Sequence, residues 1–251
     1  MSIKIRMIGT GSAFAKKYFN NNALVTSGDY TLLIDFGITG PLSMYQMNMP
    51  LDRIDGVVVT HLHADHIGGL EELMLRLRFD YKKKPTLFIE EHLVQPLWDY
   101  SLRGGLEFGA GGTQKLDDFF HIIPLTARKP QEVAPGLRLE IWPTRHFPDM
   151  PSYAIVLNDK LFYSGDTVFD PNLIGSALER GCDYILHECQ LEGQGLFHAT
   201  LAELLTLPED VQRKVRLMHY GDHMEQYIGH TGLMTFLRQH ETYEFPIEAS
   251  E

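Results

Sequence analysis

The chain has 251 residues, 44% of them apolar and 22% charged, with a formal charge of −11 and a pI near 5.5. That length carries one domain with a real core, and that charge argues against broad phosphate-backbone binding, which needs Lys and Arg to release counterions. Two cysteines, Cys182 and Cys189, an N-terminus without a signal-like apolar region and no apolar run of about 18 residues suit a reducing compartment. The expectation is a soluble, cytoplasmic single domain over residues 1–251, with no membrane contact.

Residues 3–8 alternate apolar and polar, as a half-buried strand does. Residues 22–26 and 30–35 flank Ser27-Gly28-Asp29 and read as a hairpin. A valine-rich strand at 56–60 precedes helical spacing over 65–79, with Leu70, Leu73, Met74 and Leu77 on one face. A strand at 86–89 and a helix at 91–102 come next. Residues 103–114, with glycines at 104, 105, 109, 111 and 112, read as a loop: a lid, a contact for a second subunit, or plain surface. Lys82-Lys83-Lys84 reads as a solvated turn.

Strands follow at 137–142, 152–157 and 160–164, the last two joined by a turn at Asn158-Asp159. Residues 171–180 are helical, with Pro171 at a tolerated early position. Strands at 183–186 and 215–218 each end at a histidine, and 229–240 reads as a final helix. Each half opens with β structure and adds helices. Two sheets covered by helices on both outer faces accommodate that order, although periodicity alone leaves a doubly wound sheet open.

The chemistry concentrates in Thr60-His61-Leu62-His63-Ala64-Asp65-His66. His61 and His63 are two apart, so extended backbone directs both imidazoles to one side. Asp65 and His66 fall where the helix begins and can face a neighbouring point. Four ligating side chains within six residues suit a pair of adjacent ions. A polar loop with Asp65 as helix cap is the ordinary alternative, but it leaves three histidines unexplained.

This run resembles the HxHxDH signature of the metallo-β-lactamase superfamily, which implies an αββα four-layer sandwich. Further positions follow that pattern: His146 in Pro143-Thr144-Arg145-His146, Asp166 in Tyr163-Ser164-Gly165-Asp166-Thr167, His219 in Leu217-Met218-His219-Tyr220, and an early Asp35 that supports the ligand loop. The resemblance implies that His61, His63 and His146 hold one metal and Asp65, His66 and His219 a second, with Asp166 bridging. The ions are two divalent cations, Zn2+ or Mn2+. True β-lactamases of the best-known type carry cysteine where Asp166 stands, so antibiotic hydrolysis is not expected.

The run 163–167, with Leu186-His187-Glu188-Cys189 and Phe197-His198-Ala199-Thr200, is similar to motifs of the ribonuclease Z-like branch. By that resemblance His198 is a general acid towards the leaving oxygen, Glu188 orients it, and Asp65 joins them among the catalytic residues. The plainer reading of His198 is a residue at a helix start capped by Thr200, and of His187 a packing or supporting role. The tRNA-processing members carry a long arm between the third histidine and the bridging Asp. Only 19 residues separate His146 from Asp166 here, so small phosphodiesters are expected and large nucleic acids are not.

Gly9-Thr10-Gly11-Ser12-Ala13-Phe14 lacks the third glycine and following helix of a dinucleotide fingerprint. Its continuation to Asn22 looks like arm-less members that degrade cyclic nucleotides, including the anti-Pycsar phosphodiesterases of phages and their bacterial relatives. That implies hydrolysis of 3′,5′-cyclic nucleotides, cCMP and cUMP included, to 5′-mononucleotides by metal-activated water. It also implies a homodimer, with a role in immune evasion or in ordinary signal turnover. Phe14, Tyr18 or Phe19 would stack a base, core packing being the alternative for each. Competing functions are a tRNA 3′ endonuclease, which needs an arm and a basic face; another small-phosphodiester hydrolase; a lactonase or glyoxalase-type hydrolase, which leaves His198 and Glu188 unexplained; and a nucleotide-sequestering protein, which goes with lost ligands.

Overall fold

The computed structural model describes residues 2–109 and 112–246. Strand β1 (Ser2–Gly9) buries Ile3, Ile5 and Met7 on one face, as its alternation requires. It pairs antiparallel with β2 (Asn22–Ser27), which turns at Gly28-Asp29 into β3 (Tyr30–Ile34). Then β4 (Gly56–Val59) and β5 (Thr86–Glu90) add in parallel. A two-rung ladder of β6 (Phe108–Gly109) with β7 (Gly112–Thr113) leads to β8 (His121–Leu125), parallel to β5.

The second sheet repeats this plan. An antiparallel meander, β9 (Gln131–Ala134), β10 (Leu137–Pro143), β11 (Tyr153–Leu157) and β12 (Leu161–Tyr163), gives way to parallel β13 (Tyr184–Glu188), β14 (Val215–Met218) and β15 (Thr235–Phe236). Finally β16 (Thr242–Pro246) returns to the first sheet beside β1, giving the orders β16-β1-β2-β3-β4-β5-β8 and β15-β14-β13-β12-β11-β10-β9.

The layers follow from side-chain alternation. Tyr153, Ile155 and Leu157 of β11 join Val57, Leu33 and Ile5 of the first sheet in one core. Ala154 and Val156 point the other way, onto Leu173, Ile174 and Ala177 of the helix Pro171–Arg180. Leu70, Leu73 and Leu77 cover the first sheet. This is the αββα sandwich. Each fully buried leucine or valine contributes about 1.5–3 kcal/mol. No helix among the described residues is long and apolar enough to cross a membrane.

Three expectations need correction. The helix at 65–79 is interrupted: Ala64–Ile67 and Leu70–Leu75 are separate, and Arg76–Asp80 is a π-turn. The loop after β3 docks there, with Phe36 N–H donating to His66 O and Phe36 O accepting from Gly69 N–H. A Cβ on Gly69 would stand 2.5 Å from the Gly37 carbonyl oxygen, so the chain must bend at a glycine. The 103–114 loop is instead a helical turn, Arg103–Leu106, followed by the β6–β7 ladder; Gly111 lies outside the described residues. The helix at 229–240 does not form. Gly229 and Gly232 adopt positive φ, and Thr235–Phe236 pairs with β14 as an edge strand.

Candidate functional site

Parallel strands deliver their C-terminal ends to one edge of each sheet, and these two edges meet. The first sheet contributes the turn after β4. There Asp35, buried after β3 in the left-handed region (φ +56), accepts from Thr60 N–H at 2.8 Å, Thr60 Oγ1–H at 2.7 Å and His66 Nδ1 at 2.7 Å. Burial pushes the Asp35 carboxyl pKa up, against the lowering effect of His66 and Thr60. With its Nδ1 committed to Asp35, His66 is left with Nε2 for the site.

The second sheet contributes scattered groups. His146 follows β10 and donates Nδ1–H to the Phe197 carbonyl at 2.7 Å, which frees its Nε2. Asp166 follows β12 behind Gly165, whose φ of +57 turns the chain. His219 ends β14 at φ +54, a strained conformation for a histidine.

All seven residues expected as ligands come together, in two groups that share Asp166. His61, His63, His146 and Asp166 offer ligand atoms within 4.8 Å of one another, and so do Asp65, His66, Asp166 and His219. In the first group His63 Nδ1 lies 3.1 Å from His61 Nε2 and 3.2 Å from His146 Nε2. Asp166 Oδ2 lies 3.9 Å from His61 Nε2 and 3.8 Å from His146 Nε2. In the second, His66 Nε2 is 3.2 Å from Asp65 Oδ2 and 3.4 Å from Asp166 Oδ1. His219 Nε2 is 3.3 Å from Asp65 Oδ2 and 3.4 Å from Asp166 Oδ2.

The electrostatics separate the groups. Burial, then neighbouring imidazoles, lowers the pKa of His61 and His63, and burial lowers that of His146, so these rings are neutral donors. Burial opposes charge on His66 and His219 as well, but Asp166 and Asp65 hold both imidazoles up, His219 at about 10. Conversely, burial disfavours the Asp65 and Asp166 carboxylates, while His66 and His219 keep both far below the usual range.

This donor set fits divalent cations. Three imidazole nitrogens converge on one point, and two carboxylates with two imidazoles on the other. His66 Nε2 and Asp166 Oδ1 are buried with no hydrogen-bond partner among the described residues, as ligand atoms would be.

Beside Asp166 stands a third group. Glu188, fully buried at the end of β13, accepts from Thr167 N–H and, at 2.8 Å, from His198 Nδ1. His198 Nδ1 is 3.8 Å from Asp166 Oδ2, and its ring stacks on His219 at 5.2 Å. Burial works against its charge, but the Glu188 hydrogen bond raises its pKa above the ordinary value. Thr200 caps the turn Leu201–Leu204, as the plainer reading of this segment expects. His187 is buried, bonds the Glu188 carbonyl at 2.8 Å and is absent from the ligand groups.

His198 and His219 floor a cavity of about 520 Å³ walled by 12–15, 190–192 and 221–223. Thr60 and Asp222 belong to this architecture and were not singled out by sequence reasoning; Thr60's position before His61 was the available signal, whereas Asp222 offered none.

The family model described as "Anti-Pycsar protein Apyc1" matches residues 3–243. An anti-Pycsar protein Apyc1 of Paenibacillus xerothermodurans is 49% identical over 246 residues, covering 98% of each chain. One from Bacillus phage vB_BsuM-Goe3 is 44% identical over 252 residues, covering 94% of this chain and 96% of its own. Among solved structures, the metallo-β-lactamase fold protein YhfI from Bacillus subtilis superposes with a TM-score of 0.72 at 18% identity, covering 97% of this chain and 100% of its own. The fold is thus that of the metallo-β-lactamases, and the chain belongs to the anti-Pycsar protein Apyc1 family.

Proposed function

We propose that the chain is a two-metal phosphodiesterase that hydrolyses 3′,5′-cyclic nucleotides to 5′-mononucleotides with little choice of base. The observation that carries this reading is the convergence of two ligand groups on Asp166, beside a histidine, His198, bonded to a buried carboxylate, Glu188. His61, His63 and His146 would hold one ion and Asp65, His66 and His219 the other, with Asp166 within reach of both groups. When bound, two divalent cations, Zn2+ or Mn2+, neutralise the phosphodiester and activate the attacking water.

The chain's own residues do the rest. The cavity of about 520 Å³ is of a size for one small ligand. Glu188 fixes the His198 ring through Nδ1, so Nε2 is free to give a proton to the 3′ oxygen as the P–O3′ bond breaks. The water oxygen stays on phosphorus, and the 5′ ester remains. Asp65, poised between His66 and His219, keeps both rings aligned. Phe14, 87% exposed at the cavity mouth, offers a face for any base, whereas Tyr18 and Phe19 are engaged with Tyr220 and His240.

Residues 147–165 hold only β11, β12 and their short connections, which supports a small substrate over tRNA. Removal of a cyclic-nucleotide signal would also account for the action that the family's name describes. A homodimer belongs to this reading on family resemblance alone; light scattering checks it.

The test is hydrolysis of cAMP, cGMP, cCMP, cUMP, a 2′,3′-cyclic nucleotide, bis-p-nitrophenyl phosphate and precursor tRNA by Mn2+- or Zn2+-loaded protein. EDTA-sensitive conversion of several 3′,5′-cyclic nucleotides to 5′-monophosphates is expected. Turnover of the tRNA or the generic diester alone would overturn the substrate assignment.

A further inference from the structure

Phe14 sits in a turn closed by Ala15 N–H donating to the Ser12 carbonyl at 3.1 Å. Such a turn on its own leaves the ring free to wander, and a stacking platform that must first be ordered gives up affinity. Two anchors hold this one. Before the turn, Ser12 N–H donates to the Tyr220 carbonyl and Tyr220 N–H to the Thr10 carbonyl, both at 3.0 Å. After it, the successive amides of Lys16 and Lys17 donate to one carboxylate oxygen of Asp222 at 2.8 Å each, and the Lys16 amide also lies 3.0 Å from the second oxygen. Both anchors belong to the short segment that follows His219. One stretch of three residues, 220–222, therefore ties the cavity wall to its floor.

We infer that Asp222 is a positioning residue for base recognition: it clamps residues 12–17 so that Phe14 presents a fixed face to the nucleobase of a cyclic nucleotide whose phosphate lies at the His198–His219 floor. This rests on the phosphodiester-hydrolase reading and deepens it. A carboxylate suits the place because a charged acceptor binds amides more strongly than a neutral one. Asp222 stands in the cavity wall, but its carboxylate is taken up by the Lys16 and Lys17 amides, so it acts through the loop. Glu192 and His223, at the same cavity mouth, are engaged with each other at 2.8 Å. Recognition then falls to a π-face, which gives affinity for a base without selecting among bases.

The test compares Asp222→Ala, Asp222→Asn, Phe14→Ala and the double variant Phe14→Ala/Asp222→Ala as metal-loaded protein. Substrates are cCMP, cAMP and ribose 3′,5′-cyclic phosphate lacking a base. Asp222→Ala is expected to raise KM for both nucleotides about ten-fold, the effect of losing one charge-assisted hydrogen bond, with kcat changed by less than about two-fold. The preference for each nucleotide over the abasic phosphate falls by the same factor. Asp222→Asn, which keeps an accepting oxygen, recovers most of the loss. In the Phe14→Ala background Asp222→Ala adds nothing further. Additive losses in the double variant, or an equal loss on the abasic phosphate, overturn the inference.

Amide hydrogen exchange over 12–17 reads the clamp without turnover, and Asp222→Ala must accelerate it. Unchanged exchange overturns the clamp alone. Wild-type protein that turns over no cyclic phosphate overturns the proposed function, and the base-recognition role with it.

Discussion

The two halves of the sandwich share one strand plan and build their parts of the site in opposite ways. The first half places four donors, His61, His63, Asp65 and His66, in one turn after β4, cross-linked by the single carboxylate of Asp35. The second half places His146, Asp166, Glu188, His198 and His219 on separate segments, with His146 aimed by the Phe197 carbonyl and His198 by Glu188, itself held by the Thr167 amide. The cavity is walled by second-half segments and the 12–15 turn, and none of the 60–66 run lines it. The first half thus supplies four of the seven candidate metal donors in one turn, whereas the second supplies the other three together with His198, Glu188 and most of the cavity wall. Substitutions in the second half should divide into those that empty the metal site and those that spare it.

Asp166→Ala should have the largest effect, because both ligand groups use this carboxylate. Turnover should fall to background and bound metal to fewer than two ions per chain by elemental analysis; retention of both ions would break the account. His198→Ala belongs to the same half but to the substrate side. It should lower kcat by roughly 10²–10⁴-fold with metal content intact, and equal losses in kcat and in substrate affinity would contradict the acid role.

Asp35→Asn tests the cross-link of the first half. It leaves all seven donors in place yet removes the carboxylate that orients His66, so metal affinity should fall about 10–100-fold in a chelator competition. The apo protein should lose about 1–3 kcal/mol in a urea titration, since the Asp35 partners are buried.

The smallest effect concerns His187, whose burial lowers its pKa below the ordinary value. The folded state therefore binds fewer protons than the unfolded state below about pH 6.5, and stability present above that pH is lost as pH falls. Metal-free His187→Phe should lose less Tm than wild type between pH 7 and pH 5. An equal loss would mean that this ring does not titrate in the unfolding reaction.

The same contrast explains what the sequence made legible. The 60–66 run declares itself because its donors are adjacent and follow a buried strand. His146, Asp166 and His219 carry little signal singly, since a lone strand-end histidine is usually structural; only their order, matched to a family pattern, assigned them. The partnership of Asp222 with Lys16 and Lys17 had no sequence signal at all, because it spans 206 and 205 positions. β16 was missed for a related reason: its partner is β1, at the far end of the chain. At 229–240, Leu233, Met234 and Leu237 imitate helical spacing, yet Gly229 and Gly232, three apart at positive φ, were the warning.

The most direct test of the account is a metal titration of apo protein with Mn2+ or Zn2+, following bound ions and cCMP hydrolysis in the same samples. Activity should rise with the second ion and yield 5′-CMP. Full activity with one ion, a 3′-CMP product, or two bound ions with no hydrolysis would contradict it.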